Sequence, residues 1–243
     1  MKKWIQSLKQ TNILKSIVHF VVGMASYPGL VIFNKLKITG TENFKDLPRR
    51  NILFVSNHQT YFADVIAFFH TFGAVKWGKK NRLGLPYYLL NPFTRVYYVA
   101  AGKTMKSSWL SKLFTLGGAI TVQRAWVPEA GEKRKGLDVA DTRKIAQALE
   151  NNWVLTFPQG TTKPFAPGRK GTAFIIKQYK PIVIPVVIDG FSTAFDKRGL
   201  KMKKRNTLLS LNFKEPLTFS DEDSLDQILE RVMESIEQIK KPQ

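Results

Sequence analysis

Residues 52–64 read Ile-Leu-Phe-Val-Ser-Asn-His-Gln-Thr-Tyr-Phe-Ala-Asp, and this stretch decides both the fold and the chemistry expected of the chain. An apolar run of strand length delivers His58 into a turn, and Asp64 follows where a helical pattern begins. A histidine directly after a buried strand lies at the sheet edge where open α/β folds hold their sites. Asp64 would accept a hydrogen bond from one ring nitrogen and leave the other facing a substrate hydroxyl. The sequence therefore predicts His58 as a general base and Asp64 as the residue that orients it.

Three further blocks follow in a fixed order. They are residues 118–124, 157–162 and 182–187, which read G-A-I-T-V-Q-R, F-P-Q-G-T-T and I-V-I-P-V-V. Together with Asn57-His58, these blocks resemble the four motifs of the lysophospholipid acyltransferase family, of the 1-acylglycerol-3-phosphate acyltransferase type. The resemblance extends over residues 38–187, which is most of the chain.

The resemblance implies an activity and a set of partners. A fatty acyl group would pass from acyl-CoA or acyl carrier protein to the hydroxyl of a lysophospholipid. The simplest acceptor is 1-acylglycerol-3-phosphate, which would give phosphatidic acid without a covalent enzyme intermediate. The thioester is then a co-substrate, and neither a cofactor nor a metal is expected. The resemblance, together with the cation that follows the third block, implies that the substrate-binding residues are Asn57, Arg124, Gln159, Gly160, Thr161 and Lys163.

The chain departs from the family pattern in two places. Five residues separate His58 from Asp64, where the family usually has four. One extra residue turns a helix position by about 100°, so either the turn absorbs it or the pair is looser. In the third block, Gln159 replaces a glutamate and Thr162 an arginine. Either Lys163 or a neighbouring cation (Arg169, Lys170) restores phosphate affinity, or the acceptor carries no phosphate, as in an aminolipid precursor.

Two residues of these blocks have competing interpretations. Arg124 ends an apolar strand and needs an anion, which is either the acceptor phosphate, held bidentately, or a carboxylate such as Asp64 or Asp189. Gly160 either aims backbone N–H groups at a substrate oxygen or belongs to an ordinary Pro/Gly turn.

The charge of the chain limits its partners. The net charge of +20 and a pI near 10.1 require an anionic partner, such as a lipid surface, coenzyme A, acyl carrier protein or nucleic acid. The cations form dispersed clusters at residues 76–82, 133–135 and 197–205 without any nucleic-acid-binding motif. The pattern favours a membrane surface and no nucleic acid. There is no cysteine, and the three histidines lack metal-ligand spacing.

The N-terminus is predicted to attach the chain to a membrane. Lys2, Lys3, Lys9 and Lys15 precede an apolar run over residues 17–33, which is close to the length of a span. This run is an interfacial helix, a single span or an ordinary packed helix. Lysines beside Trp4 favour the interfacial interpretation, because cationic ends and amphipathic rings suit the headgroup layer. We therefore expect residues 1–36 to form a monotopic (or single-span) segment on the cytoplasmic face of the inner membrane.

Strand and helix patterns alternate through residues 37–243, which predicts one α/β domain, and the resemblance implies that this is an acyltransferase domain. Its mostly parallel mixed sheet would be flanked by helices. Predicted strands cover residues 37–40, 51–55, 118–124, 153–157, 182–188 and 207–213. Predicted helices follow His58 and cover residues 109–116, 139–149, 171–179 and 220–240. A non-catalytic lipid-binding protein on the same fold is the main alternative, motivated by the altered first and third motifs.

Overall fold

The computed structural model describes the backbone of residues 2–101, 109–122 and 139–239, and the side chains of residues 13–100, 113–122 and 141–239. Within these ranges the strands are β1 Lys35–Thr39, β2 Ile52–Ser56, β3 Val96–Ala101, β4 Ala119–Val122, β5 Trp153–Thr156, β6 Ile182–Asp189 and β7 Leu208–Phe213. The helices are α1 Lys2–Tyr27, α2 Ala63–Lys76, α3 Trp109–Leu116, α4 Val139–Asn151, α5 Lys170–Tyr179, α6 Phe191–Ala194 and α7 Leu225–Ser235.

The strands form one mixed sheet with the order β1-β7-β6-β2-β5-β3-β4. All pairs are parallel except β6 with β7. β2 is central and every one of its residues is buried, because both faces of a parallel sheet are covered by helices. The predicted α/β fold with a mostly parallel mixed sheet is confirmed.

Alternate residues of β2 contribute to two cores. Ile52 and Phe54 point into an aromatic-rich core that also holds Phe72, Trp153 and Phe213. Leu53 and Val55 point to the other face, against α4, α5 and α7. The rigid scaffold on both sides fixes the direction in which the chain leaves β2, and therefore where His58 lies.

Over residues 13–27, helix α1 buries two polar side chains beside Val18 and leaves several apolar side chains exposed. Lys15 Nζ donates to Val96 O at 2.8 Å and lies 3.5 Å from the centre of the Tyr97 ring. His19 Nε2 contacts Gly117 O at 2.9 Å. Burial lowers the pKa of Lys15 to about 7, so this lysine is not the exposed headgroup ligand that the sequence predicted. The outer face instead presents exposed apolar side chains at helical spacing, namely Ile13, Ile17, Val21 and Met24.

Within the described ranges one segment, Ile13–Ile32, is long and apolar enough to cross a membrane; its mean hydropathy is 1.3 and 28% of the window tested is buried. A short π-helical turn, Pro28–Ile32, follows α1 and leads into β1.

Some predicted boundaries were wrong. β3 was not predicted, although Val96-Tyr97-Tyr98-Val99 is rich in strand-forming residues. The helix predicted over residues 220–240 is shorter, because α7 begins only at Leu225, with a capping box between Ser224 and Gln227, and ends at Ser235. The charged cluster at residues 133–135 lies outside the described residues.

Candidate active site

His58 lies just past the end of β2, at the edge where the parallel strands end, which we call the carboxyl edge. Its Nδ1 is 2.9 Å from Asp64 Oδ2. The His58 side chain is 13% exposed and that of Asp64 is fully buried. The imidazole can thus be reached from outside while its carboxylate partner cannot.

Four donors surround the carboxylate of Asp64. Oδ2 accepts from His58 Nδ1, from Gln59 N at 2.6 Å and from Thr60 N at 3.0 Å, and Oδ1 accepts from Thr60 Oγ1 at 2.7 Å. Because Oδ2 already receives two backbone N–H groups, it acts as an acceptor toward the imidazole. In the neutral imidazole the proton therefore lies on Nδ1, and Nε2 is the ring nitrogen that can accept a proton. No hydrogen-bond partner of Nε2 is found in the described part of the chain.

The turn absorbs the extra residue between His58 and Asp64. Asp64 lies in the first turn of α2, and its own N–H contacts Thr60 Oγ1 at 3.3 Å. Thr60 thus contacts a first-turn N–H of the helix, although Phe62 occupies the N-cap position. The short His58–Asp64 distance rules out the looser pair.

A distant loop holds this turn in place. Tyr61 N donates to Lys197 O at 3.1 Å, and Phe62 N donates to Arg198 O at 2.9 Å. Gly199 has φ +78°, and a Cβ there would lie 2.5 Å from Ala63 N. Only glycine permits both this backbone angle and this approach.

Two amides tie the turn to the neighbouring strand. The side chain of Asn57 makes a pair of bonds with Ile188, donating to its O at 2.9 Å and accepting from its N at 2.8 Å. Gln59 Oε1 accepts from Phe191 N at 2.8 Å, and its Nε2 donates to Asp189 Oδ1 at 3.1 Å. Asn57 thus joins β2 to β6 at the site, and its predicted contact with substrate stays a prediction.

Phe157 covers one face of the catalytic imidazole. The two rings stack with centroids 3.9 Å apart and an angle of 18° between planes. Sequence reasoning missed this contact, although the residue precedes the Pro-Gln-Gly turn of the third motif. The stacking restricts rotation of the imidazole and excludes water from that face.

Gln159 is buried and acts as a donor. Its Nε2 donates to Ala166 O at 3.0 Å and to Gln238 Oε1 at 3.1 Å. Gln238 Oε1 also accepts from Phe165 N at 2.9 Å. An ionised glutamate has no donor and could make neither of the Gln159 bonds. The glutamine in the third motif therefore has an acceptor, Gln238, in the segment after α7, and sequence reasoning missed this partner.

The remaining predicted residues lie around the same loop. Gly160 has φ +61° and its N–H donates to Phe157 O at 2.8 Å, so that N–H is not aimed at a substrate oxygen. Thr161 is half-buried, with Oγ1 contacting Lys163 N at 3.3 Å. The side chain of Lys163 is exposed, as is that of Arg169, whose guanidinium lies over Gly160. Arg124 lies outside the described residues.

No group of three or more His, Cys, Asp or Glu side chains that could hold a metal ion occurs in the described ranges. The site therefore consists of a buried carboxylate, an oriented imidazole and a nearby loop with exposed cations. Such a constellation can remove a proton from a hydroxyl.

Comparisons with known proteins identify a family and a similar fold. A family model described as Acyltransferase matches residues 35–189, about two thirds of the chain. No curated protein matches the chain. Among solved structures, the crystal structure of the 1-acyl-sn-glycerophosphate (LPA) acyltransferase PlsC from Thermotoga maritima is similar, with a TM-score of 0.50 and 20% identity. That match covers 93% of this chain and 78% of the other.

Proposed function

Because the chain belongs to the acyltransferase family, we propose that it acylates the hydroxyl of a lysophospholipid with His58 as general base. The observation that carries the proposal is the bond between His58 Nδ1 and the buried Asp64, which leaves Nε2 as the ring nitrogen available at the carboxyl edge. A protein that only binds lipid would not need an imidazole oriented in this way. The extra residue between His58 and Asp64 was one reason to consider a non-catalytic protein, and the short bond between the two side chains removes that reason.

In the proposed reaction, Nε2 of His58 takes the proton of the acceptor hydroxyl as its oxygen attacks the thioester carbonyl. Asp64 stabilises the imidazolium that forms. The tetrahedral intermediate then collapses, the carbon–sulfur bond breaks, and the imidazolium returns the proton to the departing thiolate. General-base catalysis of this kind contributes about 10²–10⁴-fold to the rate.

The acceptor we favour is 1-acylglycerol-3-phosphate, with phosphatidic acid as the product. Lys163 and Arg169 are exposed cations on the loop of the third motif, and they supply positive charge where the family places an arginine. Arg124, Gln159, Gly160 and Thr161 complete the proposed acceptor site. An acceptor without phosphate, such as an aminolipid precursor, remains the alternative because Thr162 cannot bind a phosphate as an arginine does.

The donor in this proposal is acyl-CoA or acyl carrier protein, both anionic. The proposed site of attachment is the cytoplasmic face of the membrane. The apolar outer face of α1 supports a monotopic mode of attachment, because the inner face is bonded to the domain through Lys15 and His19. A helix that crossed the bilayer would have to give up these contacts.

Acyl transfer by purified protein in mixed micelles tests the proposal. Lysophosphatidic acid, other lysophospholipids and an acylated amino acid are offered with each donor, for the wild type and His58→Ala. We expect transfer to lysophosphatidic acid and its loss by at least about 10²-fold in His58→Ala. His19→Ala is the matched control, since it removes an imidazole at the opposite edge of the sheet; it should lower the melting temperature but not the rate per folded molecule. Folded wild-type protein that transfers to no acceptor would overturn the proposal.

A further inference from the structure

Residues 197–205 form a strongly basic loop at the carboxyl edge, which we call the basic rim. Six of its nine residues are lysine or arginine. In the described part of the chain none of the six makes an ion pair. The adjacent acid, Asp196, uses Oδ1 to accept from Leu200 N and Lys201 N. The positive charge of the rim is therefore left for a partner.

The rim is continuous with the apolar end of the N-terminal segment. Asn206 N donates to Phe33 O at 2.7 Å, and the Arg205 guanidinium lies 4.8 Å from the Phe33 ring centre. Exposed apolar side chains stand among and beside the cations: Leu200 is 44% exposed, Leu208 59% and Ile32 65%. Cations interleaved with exposed apolar groups match a headgroup layer, where phosphate lies directly above hydrocarbon. An acidic protein such as a carrier would use the charges but would not need the apolar groups.

The same loop is bonded to the catalytic turn. Lys197 O and Arg198 O accept from Tyr61 N and Phe62 N, and Gly199 packs against Thr60 and Ala63. The conformation of the rim and the conformation of the His58–Asp64 turn are thus coupled through backbone contacts. A ligand that orders the rim also orders the turn.

We propose that the basic rim binds the phosphate headgroups of an anionic bilayer, and that its contacts with the catalytic turn make acyl transfer faster on anionic than on zwitterionic membranes. The second half rests on the proposed function; the first half does not. The lipid bound by the rim is a component of the surface, distinct from the acceptor that reacts at His58.

Vesicle binding and transfer, measured on the full chain, test the proposal. The vesicles are phosphatidylcholine alone or mixed in equal parts with phosphatidylglycerol. The variant Lys197→Gln/Lys201→Gln/Lys204→Gln removes three rim charges. Each basic residue at an anionic surface contributes about fivefold to binding, so affinity for the mixed vesicles should fall on the order of a hundredfold. The ratio of transfer rates on mixed and pure vesicles should fall with it.

A charge-matched control separates the rim from net charge. Lys45→Gln/Arg49→Gln/Arg50→Gln removes three exposed cations just before β2, at the opposite edge of the sheet. It should retain both vesicle affinity and the rate ratio. Equal losses in the two triples, or full retention in the rim triple, would overturn the proposal, as would a rim triple that loses only binding to acyl carrier protein. If the wild type transfers to no acceptor, the vesicle measurement still decides what the rim binds.

Discussion

Asp64→Asn tests how the carboxylate acts on His58. Three N–H groups converge on Oδ2, those of His58 Nδ1, Gln59 and Thr60. An asparagine that placed its NH2 there would face two backbone donors. Its oxygen must therefore occupy that position, with Nδ2 donating to the Thr60 hydroxyl. The imidazole keeps its tautomer and loses only the negative charge beside it.

The size of the effect follows from that charge. The carboxylate and the imidazolium of the transition state lie about 4 Å apart between charge centres, which gives about 4 kcal/mol at an effective dielectric constant near 20. The amide keeps a neutral hydrogen bond of about 1–1.5 kcal/mol. The net loss of about 2.5–3 kcal/mol lowers kcat by about 10²-fold. A wrong tautomer would cost about 10⁴-fold, as in the serine protease triad.

The assay is kcat at saturating lysophosphatidic acid, paired with the melting temperature. Asp64→Asn should melt close to the wild type. Asp64→Ala should lose about 2–5 kcal/mol of unfolding free energy, because two backbone N–H groups of a buried turn are left without an acceptor. A 10⁴-fold loss in Asp64→Asn would refute the argument that the amide is forced into one orientation. An unchanged kcat would show that the charge contributes nothing to transfer.

Three further predictions concern the surroundings of the site. Gly199→Ala forces a Cβ to within 2.5 Å of Ala63 N and should lower kcat at least about tenfold. Its control is Gly78→Ala, at φ +74° with open space around it, which should cost only about 1 kcal/mol of stability. Equal kcat values for the two variants would count against the contact between the loop and the catalytic turn. Gln159→Glu should raise KM for the acceptor and lower the melting temperature, since a carboxylate would face Ala166 O and Gln238 Oε1. Adding Gln238→Ala to this variant should restore part of the melting temperature, and no restoration would contradict the pairing of Gln159 with Gln238. Burial lowers the pKa of His70 to about 3 and that of His19 to about 4, so the unfolded chain binds extra protons below about pH 6.5, and each of the two should lower stability by about 2 kcal/mol from neutral pH to pH 5. His70→Gln should remove about half of this fall, because His19 still titrates, and an unaltered slope would show that His70 contributes nothing to it.

The sequence predicted those parts of the fold that local patterns determine. The apolar run of β2, the helical spacing after His58 and the alternation of strands and helices each depend on neighbouring residues, and the structure agrees with them. The His58–Asp64 pair belongs to the same class, because both partners lie on one turn. The unpredicted β3 lacked a clear alternation of apolar and polar residues, so its strand-forming composition was the only signal.

The parts that could not be predicted depend on contacts between distant segments. The turn that absorbs Ala63 is held by Lys197 O and Arg198 O, and nothing in residues 52–64 indicates that support. A glycine within a run of lysines was the one available signal. The donor role of Gln159 likewise depends on Gln238, 79 positions away. Lys15 was grouped with the lysines expected at the headgroup layer, because the sequence around it does not indicate its hydrogen bond to Val96 O inside the domain.

The buried polar groups of α1 have a consequence for how the chain folds during synthesis. This helix is made before the elements on which it packs, because the carbonyls that bond its inner face belong to residues 81 and 98 positions later. Until β3 and the turn before β4 have emerged, Lys15 and His19 have only water as a partner. The apolar outer face needs nothing from the rest of the chain and is available to a lipid surface at once. With the membrane attachment proposed above, the helix would bind a bilayer before the domain has folded, and the domain would then close onto a helix that is already in position.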